Sequence, residues 1–271
     1  MITSMSNPRI KQVIQWQTKA RERHKDKVFV VEGTKMYQEA PESTIREVYV
    51  SRGYMERLRQ ADGAEHGNER LSDKLAGTGY EEVADEVFAK MSDTRTPQGI
   101  LAVIEQPKYE LNLLLAEENP LFVILENIQD PGNLGTILRT GEGAGVTGVI
   151  MSDNTVDIFN PKVIRSTMGS IFRVPFLYEA NLSRVMERFR EAGIAAYAAH
   201  LQGKVYYDGG SFRGPTAFLI GNEGNGLTEE LAGAADSYLK IPMEGAVESL
   251  NAGVAAALLM YEAHRQRFGG K

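Results

Sequence analysis

The sequence predicts an α/β protein in two parts, a helix-covered, mostly parallel sheet preceded by a smaller α/β domain. Three observations lead there. The chain has 271 residues, too many for one small core and suited to one large domain or two of ordinary size. From residue 121 onward, short apolar runs alternate with helical periodicities, the pattern of a parallel sheet buried on both faces. Three of those runs end in turns rich in Gly, Asn and Pro that lead straight into helical patterns. In open α/β sheets such turns gather at the carboxyl ends of the strands, where ligands bind.

The first part, residues 1–105, reads as alternating short elements. Ser6-Asn7-Pro8 looks like a helix start, with Ser or Asn as cap and Pro in the first turn. Ile10, Val13 and Ile14 give that helix an apolar stripe. Trp16, the only tryptophan, is either packing for this helix or a platform for a nucleic-acid base. Val28–Val31 reads as a buried strand, the run to about Ala40 as a helix, and Val48–Val50 as a strand. Gln60–Arg70 is polar and Gly-bearing, a surface loop or a frayed helix end. Glu86–Ser92 reads as helical, Thr96–Gly99 as a turn and Ile100–Ile104 as a strand.

Residues 106–120 carry Pro107 and Pro120 around an acidic stretch and read as a linker, partly helical around Leu111–Glu117. In the second part, residues 121–271, strands are expected near Leu121–Leu125, Thr147–Ser152, Arg173–Tyr178, Ala195–His200, Ala217–Ile220 and Tyr238–Ile241. A last helix from about Ser249 to Arg267 carries Leu250, Val254, Leu258 and Tyr261 on one stripe. That stripe is expected to pack on the sheet or on a second subunit.

Composition narrows the class. With 42% apolar and 24% charged residues, the chain reads as an ordinary soluble globular protein. The absence of Cys excludes a disulfide framework and a thiolate metal site, and points to an intracellular location, the cytoplasm. The start, MITSMSNPRIKQ, has no apolar h-region, so no secretory signal is expected. The longest apolar stretch, around Ala252–Met260, is too short to span a bilayer, and no membrane partner is expected. His24, His66, His200 and His264 are scattered and fit neither a metal site nor a catalytic triad, so no metal is expected.

The net charge of −6 argues against a simple polyanion binder, but its distribution differs. From Met1 to Val28, Arg9, Lys11, Lys19, Arg21, Arg23, Lys25 and Lys27 face only Glu22 and Asp26, a net +5. Such asymmetry marks either a nucleic-acid-binding end or a solvated helix face.

Two familiar nucleotide motifs are excluded. Gly143-Ala144-Gly145-Val146-Thr147-Gly148 is a literal G-x-G-x-x-G, but it follows a helix and precedes a strand, the reverse of the dinucleotide fingerprint. Gly221–Gly226 is Gly-rich but lacks the Lys-Ser/Thr of a P-loop.

The chemistry lies in the three turn-bearing runs. They are LENIQDPGNLGTILRT (Leu125–Thr140), LIGNEGNGL (Leu219–Leu227) and IPMEGAVESLNAGVAAALLMYEA (Ile241–Ala263). In the first, Pro131 and Gly132 make a turn, Asn133 is placed to cap the following helix, and Arg139 lies six residues on. The bland account makes them a cap and a surface charge. In the second, Gly221 suits a tight turn that needs positive φ. In the third, Ser249 is a natural helix cap.

Together, over roughly Leu121–Arg267, the three runs resemble the signature of the SpoU/TrmH branch of the SPOUT RNA methyltransferases. That resemblance implies 2′-O-methylation of a ribose with S-adenosylmethionine as cofactor. Ribosomal RNA is the expected substrate. Transfer RNA, or a non-catalytic RNA-binding assembly factor on the same fold, are the alternatives. It also implies an N-terminal domain like ribosomal protein L30e, a trefoil knot at the carboxyl end, and a homodimer with the cofactor pocket near the subunit interface. Asn133 and Arg139 take the roles of the family's active-site pair, with the Arg approaching the target ribose. Glu223, Ser249 and Asn251 belong to the catalytic neighbourhood. Gly221, Ile241 and Leu250 resemble the cofactor pocket, where a backbone without Cβ admits an adenosine closely. The run Phe159–Ser170 also matches and places Lys162 and Arg165 on the substrate side, to join Arg9, Lys11, Arg21, Arg23 and Lys25 in holding RNA.

The reaction explains these residue types. A sulfonium is an activated methyl donor that needs no metal, whereas a ribose hydroxyl is a poor nucleophile at neutral pH. Alignment can supply several kcal/mol, and proton removal about 10²–10⁴-fold. An Arg is normally protonated, so Arg139 either positions the substrate or needs a depressed pKa or a phosphate relay to act as base.

Overall fold

A computed structural model describes residues 1–61 and 66–268, apart from the side chains of 61 and 66–70. The first elements are α1 (Pro8–Thr18), α2 (Ala20–Asp26), β1 (Val28–Glu32), α3 (Thr34–Glu39), β2 (Ile45–Ser51) and α4 (Arg52–Ala61). Next come α5 (His66–Thr78), β3 (Glu81–Val83), α6 (Asp85–Met91), β4 (Ile100–Glu105), α7 (Leu111–Leu115), β5 (Leu121–Leu125) and α8 (Pro131–Ala144). Then follow β6 (Gly148–Ser152), α9 (Pro161–Thr167), β7 (Phe176–Glu179), α10 (Leu182–Glu191), β8 (Ala195–Ala199) and β9 (Val205–Tyr206). The chain closes with β10 (Thr216–Ile220), α11 (Glu229–Gly233), β11 (Ser237–Lys240) and α12 (Ala252–Phe268). They form two compact units: Met1–Pro107 with Phe159–Phe172, and Lys108–Ile158 with Arg173–Lys271.

The first unit holds a four-stranded sheet in the order β1-β4-β2-β3, with β4 antiparallel to both neighbours and β2 parallel to β3. α1 starts as its sequence predicts, with Pro8 in its first turn and the Asn7 side chain accepting from the Arg9 amide at 2.9 Å. It buries Ile10, Val13 and Trp16 against Val28, Val30, Phe88, Leu101 and Val103. Trp16 is 4% exposed and its Nε1 donates to Asp26 at 2.8 Å. It is therefore a packing residue and not a base platform. The Gln60–Arg70 stretch is helical where it is described, as the end of α4 and the start of α5; residues 62–65 lie outside the described residues. The segment Phe159–Phe172 belongs to this unit, with Phe159 stacked on Phe29 at 5.0 Å and Phe172 close to the same ring.

The second unit holds a seven-stranded sheet in the order β7-β6-β5-β10-β8-β11-β9, every pair parallel. From β5 the chain builds outward through β6 to β7, then returns to build the other half. β5 and β10 are therefore neighbours from opposite halves, with Ile220 beside Leu125 at their carboxyl ends. Such a switch point opens a crevice for a ligand. Phe122, Ile124, Ile150, Ala217 and Leu219 form the core with Leu182, Val185, Met186 and Phe189 of α10. β7 starts at Phe176, later than Arg173, because Pro175 has no amide for the ladder. Gly145, at φ 76°, ends α8 in the left-handed region, so the Gly143–Gly148 run is a helix-to-strand turn.

α12 departs from expectation twice. It begins at Ala252, and its cap is Asn251 instead of Ser249: the Asn251 Oδ1 accepts from the Val254 amide at 3.2 Å. Its buried face is also the small one, Ala252, Gly253, Ala256 and Ala263 with Leu259 and Met260, packed on α8 and β10. Small side chains let two helices lie close, and a Cβ on Gly253 would sit 3.4 Å from the Thr136 methyl. Within this chain the stripe of larger residues points outward: Val254 is 47% exposed and Tyr261 48%. At the far end the half-buried Arg267 guanidinium donates to the carbonyls of Phe212 (2.9 Å), Asn119 (2.9 Å), Gly214 (2.7 Å) and Pro120 (3.3 Å). Among the described residues no helix is long and apolar enough to cross a membrane, and no group of three or more His, Asp or Glu is placed to hold a metal.

Candidate active site

The turn after β5 sets the first part of the site. Asp130 is the N-cap of α8, accepting from the Asn133 amide at 2.8 Å, and Pro131 occupies the first helical turn. Asn133 is therefore not the cap, as the spacing suggested. Its backbone is capped by another residue and its carboxamide is left for other partners. Buried at 7% exposure, that carboxamide donates from Nδ2 to Glu223 Oε1 at 2.8 Å and accepts at Oδ1 from Asn251 Nδ2 at 2.8 Å. One residue from each of the three sequence runs thus joins a single hydrogen-bonded chain.

That chain has a fixed polarity because a carboxylate only accepts. Burial pushes the Glu223 carboxyl up, but bonds from the Asn133 carboxamide, from its own amide and from the Gln129 and Asp130 amides outweigh it. The net effect holds Glu223 below the usual carboxylate range, so it is an anion at neutral pH.

The turn after β10 forms the second part. Asn222 and Gly226 exchange backbone hydrogen bonds at 3.0 and 2.9 Å. The Asn222 side chain accepts from the Gly224 and Asn225 amides and donates to the Asn127 carbonyl at 2.8 Å. The positive φ in this loop belongs to Gly226 (70°), not Gly221. Gly221 is required for another reason: a Cβ there would sit 2.1 Å from the Gly226 carbonyl carbon and 2.2 Å from the Leu227 nitrogen.

A cavity of about 350 Å³ opens at the carboxyl ends of β8, β10 and β11, within the size range of small-molecule sites. Ala199, Ile220, Leu239, Ile241, Met243 and Leu250 supply apolar wall, the Asn222–Gly226 loop supplies backbone polar groups, and His200, Gln202, Glu248 and Ser249 stand around them. All three expected cofactor residues, Gly221, Ile241 and Leu250, line it, as do Glu223 and Ser249. A flat heterocycle suits the apolar wall, and a polar tail suits the loop amides and the ring of polar side chains. His200, Met243 and Asn222 were not singled out in the sequence. The available signal was position, since His200 and Asn222 each stand within two residues of a strand's carboxyl end.

Arg139 stands apart. It lies six residues beyond Asn133, about 9 Å along α8 and about 120° around it, exposed and without a charge partner among the described residues. It is neither in the hydrogen-bonded chain nor on the cavity wall.

The expected RNA-binding cations of the first unit divide. Lys11, Arg21 and Lys162 are exposed. Arg9 is paired with Glu81 at 2.6 Å, Lys25 lies 4.0 Å from Glu22, and Arg165 bonds Asp93 at 2.6 Å. Arg23 does not fit the expectation. It is 3% exposed and donates to the Trp16 and Gln17 carbonyls at 2.7 and 3.0 Å. The turn between α1 and α2 leaves those carbonyls without helical partners, and the guanidinium satisfies them.

Comparison with known proteins agrees with this geometry. The SpoU rRNA Methylase family profile matches residues 120–261, and the MRM3-like substrate binding domain profile matches residues 7–102. The chain belongs to the SpoU rRNA methylase family. It is 33% identical over 263 residues, 96% of this chain and 97% of the relative, to the 23S rRNA (guanosine(2553)-2'-O)-methyltransferase RlmP of Bacillus subtilis. The AdoMet-bound rRNA methyltransferase from Sinorhizobium meliloti superposes with a TM-score of 0.85 at 30% identity, covering 98% of this chain and 97% of that one. The AdoMet complex of the SpoU methyltransferase AviRb from Streptomyces viridochromogenes gives 0.83 at 28% identity, with 97% and 100% coverage. The α/β fold, the family and the methyltransferase class expected from the three runs are borne out.

Proposed function

We propose that this protein methylates a ribose 2′-hydroxyl of ribosomal RNA, using S-adenosylmethionine. The observation that carries the reading is the convergence of the three sequence runs on one cavity edge, through the Asn251–Asn133–Glu223 chain. A relative named as a 23S rRNA 2′-O-methyltransferase supports it along 96% of this chain, as do AdoMet-bound structural neighbours. The cofactor fits the residues present. Ile241, Leu250 and Met243 would hold its adenine, and the Asn222–Gly226 amides its polar edge. When bound, it supplies an activated methyl group on sulfur.

The chain's own groups then have distinct tasks. Glu223, anionic, and Asn133 fix the polar edge of the site, and Ser249 offers a hydroxyl on the cavity wall. Arg139, exposed and without a charge partner among the described residues, suits the anionic backbone of an RNA, because its planar guanidinium fork matches phosphate oxygens. Positioning is therefore its assigned role, worth several kcal/mol when the acceptor is aligned. Lys11, Arg21 and Lys162 hold the RNA phosphates from the first unit. A second copy of the chain covers the outward stripe of α12, where Val254, Tyr261 and Phe268 leave apolar surface exposed, and the dimer works in the cytoplasm, where ribosomal RNA is.

The deciding experiment incubates the protein and AdoMet with unmethylated 23S rRNA and, separately, with transfer RNA. Mass spectrometry of nuclease digests locates any 2′-O-methyl nucleoside. Methyl incorporation into ribosomal RNA alone is expected. Incorporation into transfer RNA alone, or into neither while AdoMet binds, overturns the substrate assignment.

A further inference from the structure

A buried carboxylate outside the residues described so far is bonded to both ends of the loop that walls the cavity. Glu126 is the first residue after β5 and is 9% exposed. Its amide continues the β5–β10 ladder by donating to the Ile220 carbonyl at 2.9 Å. Its carboxylate accepts from both the amide and the hydroxyl of Thr228, at 2.7 and 2.8 Å. Thr228 ends the Gly221–Leu227 loop and caps α11, accepting from the Leu231 amide at 3.2 Å. The loop is therefore held at both ends by one residue: at Ile220 through the backbone and at Thr228 through the side chain.

The middle of the loop is tied to the same turn. Asn222 donates to the Asn127 carbonyl, and Glu223 accepts from the Gln129 and Asp130 amides. Without the Thr228 bonds the loop's exit has no side-chain tether to this turn, and Asn222 and Glu223 are held to it only through Asn127, Gln129, Asp130 and Asn133. A buried carboxylate with two good donors keeps such an arrangement only while both bonds are made, because an unmatched buried charge is costly.

We infer that Glu126 is a positioning residue for the methyl-transfer site, acting through Thr228 on the loop that walls the cofactor cavity and carries Glu223. The inference rests on the proposed function only in naming the reaction of this site. Its structural part stands on the loop itself.

The test uses the full-length protein and compares Glu126→Ala, Glu126→Gln, Thr228→Val and Thr228→Ser. Glu126→Ala removes both bonds. Glu126→Gln keeps the shape, since an amide can accept from the Thr228 amide and donate to its hydroxyl. Three readouts are taken: melting temperature, AdoMet affinity by calorimetry, and hydrogen exchange at the Gly224, Asn225 and Gly226 amides without cofactor. Glu126→Ala is expected to speed loop exchange and to weaken AdoMet at least about tenfold, with Glu126→Gln much closer to wild type. Thr228→Val should behave as a milder Glu126→Ala, and Thr228→Ser should restore what Val loses; this pair decides the matter if Glu126→Ala does not fold. A lowered melting temperature with wild-type loop exchange and wild-type affinity would overturn the inference, leaving Glu126 a merely structural residue. Faster loop exchange in a protein whose wild type fails to methylate RNA would instead count against the proposed substrate and leave the positioning role standing.

Discussion

Replacing Asn133 by Asp tests the polarity of the Asn251–Asn133–Glu223 chain. The substitution keeps the shape but turns a donor 2.8 Å from Glu223 Oε1 into an acceptor. Two full charges at that distance repel by about 6 kcal/mol at an effective dielectric of 20 and about 1.5 kcal/mol in bulk water. Glu223 is largely exposed, so solvent screening moves the figure toward the lower end, and about 2–3 kcal/mol is a fair middle. A repulsion of that size equals about two pKa units, and the pair escapes it by keeping one proton.

The pH dependence therefore changes sign. In the wild type, the Glu223 pKa is lowered on folding, so its contribution is present above the unfolded carboxylate range and is lost as pH falls through the folded value. In Asn133→Asp the shared proton has a raised pKa, so stability is present at low pH and lost as pH rises through it. Thermal unfolding from about pH 4.5 to 8.5 should show the variant near the wild type at the acid end and several degrees below it at the alkaline end. AdoMet affinity should weaken in the same direction. Asn133→Ala, which brings no second charge, should lie below the wild type without the added slope. Parallel melting curves for the wild type and Asn133→Asp would refute the reasoning.

Arg139→Ala should leave melting temperature and AdoMet affinity near wild type while kcat on RNA drops by about 10²-fold or more, and Arg139→Lys should restore little; single-turnover rates check this, and wild-type turnover in Arg139→Ala would end the positioning assignment. Ala255→Leu fills the cavity wall and should weaken AdoMet at least about tenfold in a calorimetric titration, with folding retained. Gly221→Val, by contrast, should lower the melting temperature sharply, because its Cβ meets the loop's own backbone. Lys11→Glu with Arg21→Glu should weaken RNA binding and flatten its salt dependence in filter-binding assays, whereas Arg23→Ala should instead cost about 1–3 kcal/mol of stability by orphaning the Trp16 and Gln17 carbonyls.

The strand pattern of the second unit was legible because parallel strands buried on both faces are nearly continuous apolar runs, as LFVIL and TAFLI are. The convergence of the three runs was legible from topology, since each closes a strand. What failed was local competition between similar residues. Asp130 and Asn133 both cap well, and Pro131 immediately after Asp130 was the deciding signal. Ser249 and Asn251 are equally good caps, and the choice depends on where the cavity wall ends. Arg23 was misread because a basic residue between the exposed Arg21 and Lys25 gives no local sign of burial. The outward stripe of α12 was read from large side chains, although close helix packing on α8 selects Ala and Gly. The association of Phe159–Phe172 with the first unit depends on which rings Phe159 and Phe172 meet, and no local periodicity encodes that.

The guanidinium of Arg267 has a consequence for the last helix as a mechanical part. α12 spans 17 residues, about 25 Å at 1.5 Å per residue, between Asn251 at the carboxyl edge of the sheet and Arg267 at its amino edge. A slip of one turn would move either end about 5.4 Å, breaking the bond to Asn133 and all four carbonyl bonds together. The helix is thus a ruler with both marks fixed. Its carboxyl end is held by carbonyl dipoles that dissolved salt screens far less than it would an exposed ion pair, and the rigid helix passes that anchorage on to Asn251 at the other edge of the sheet.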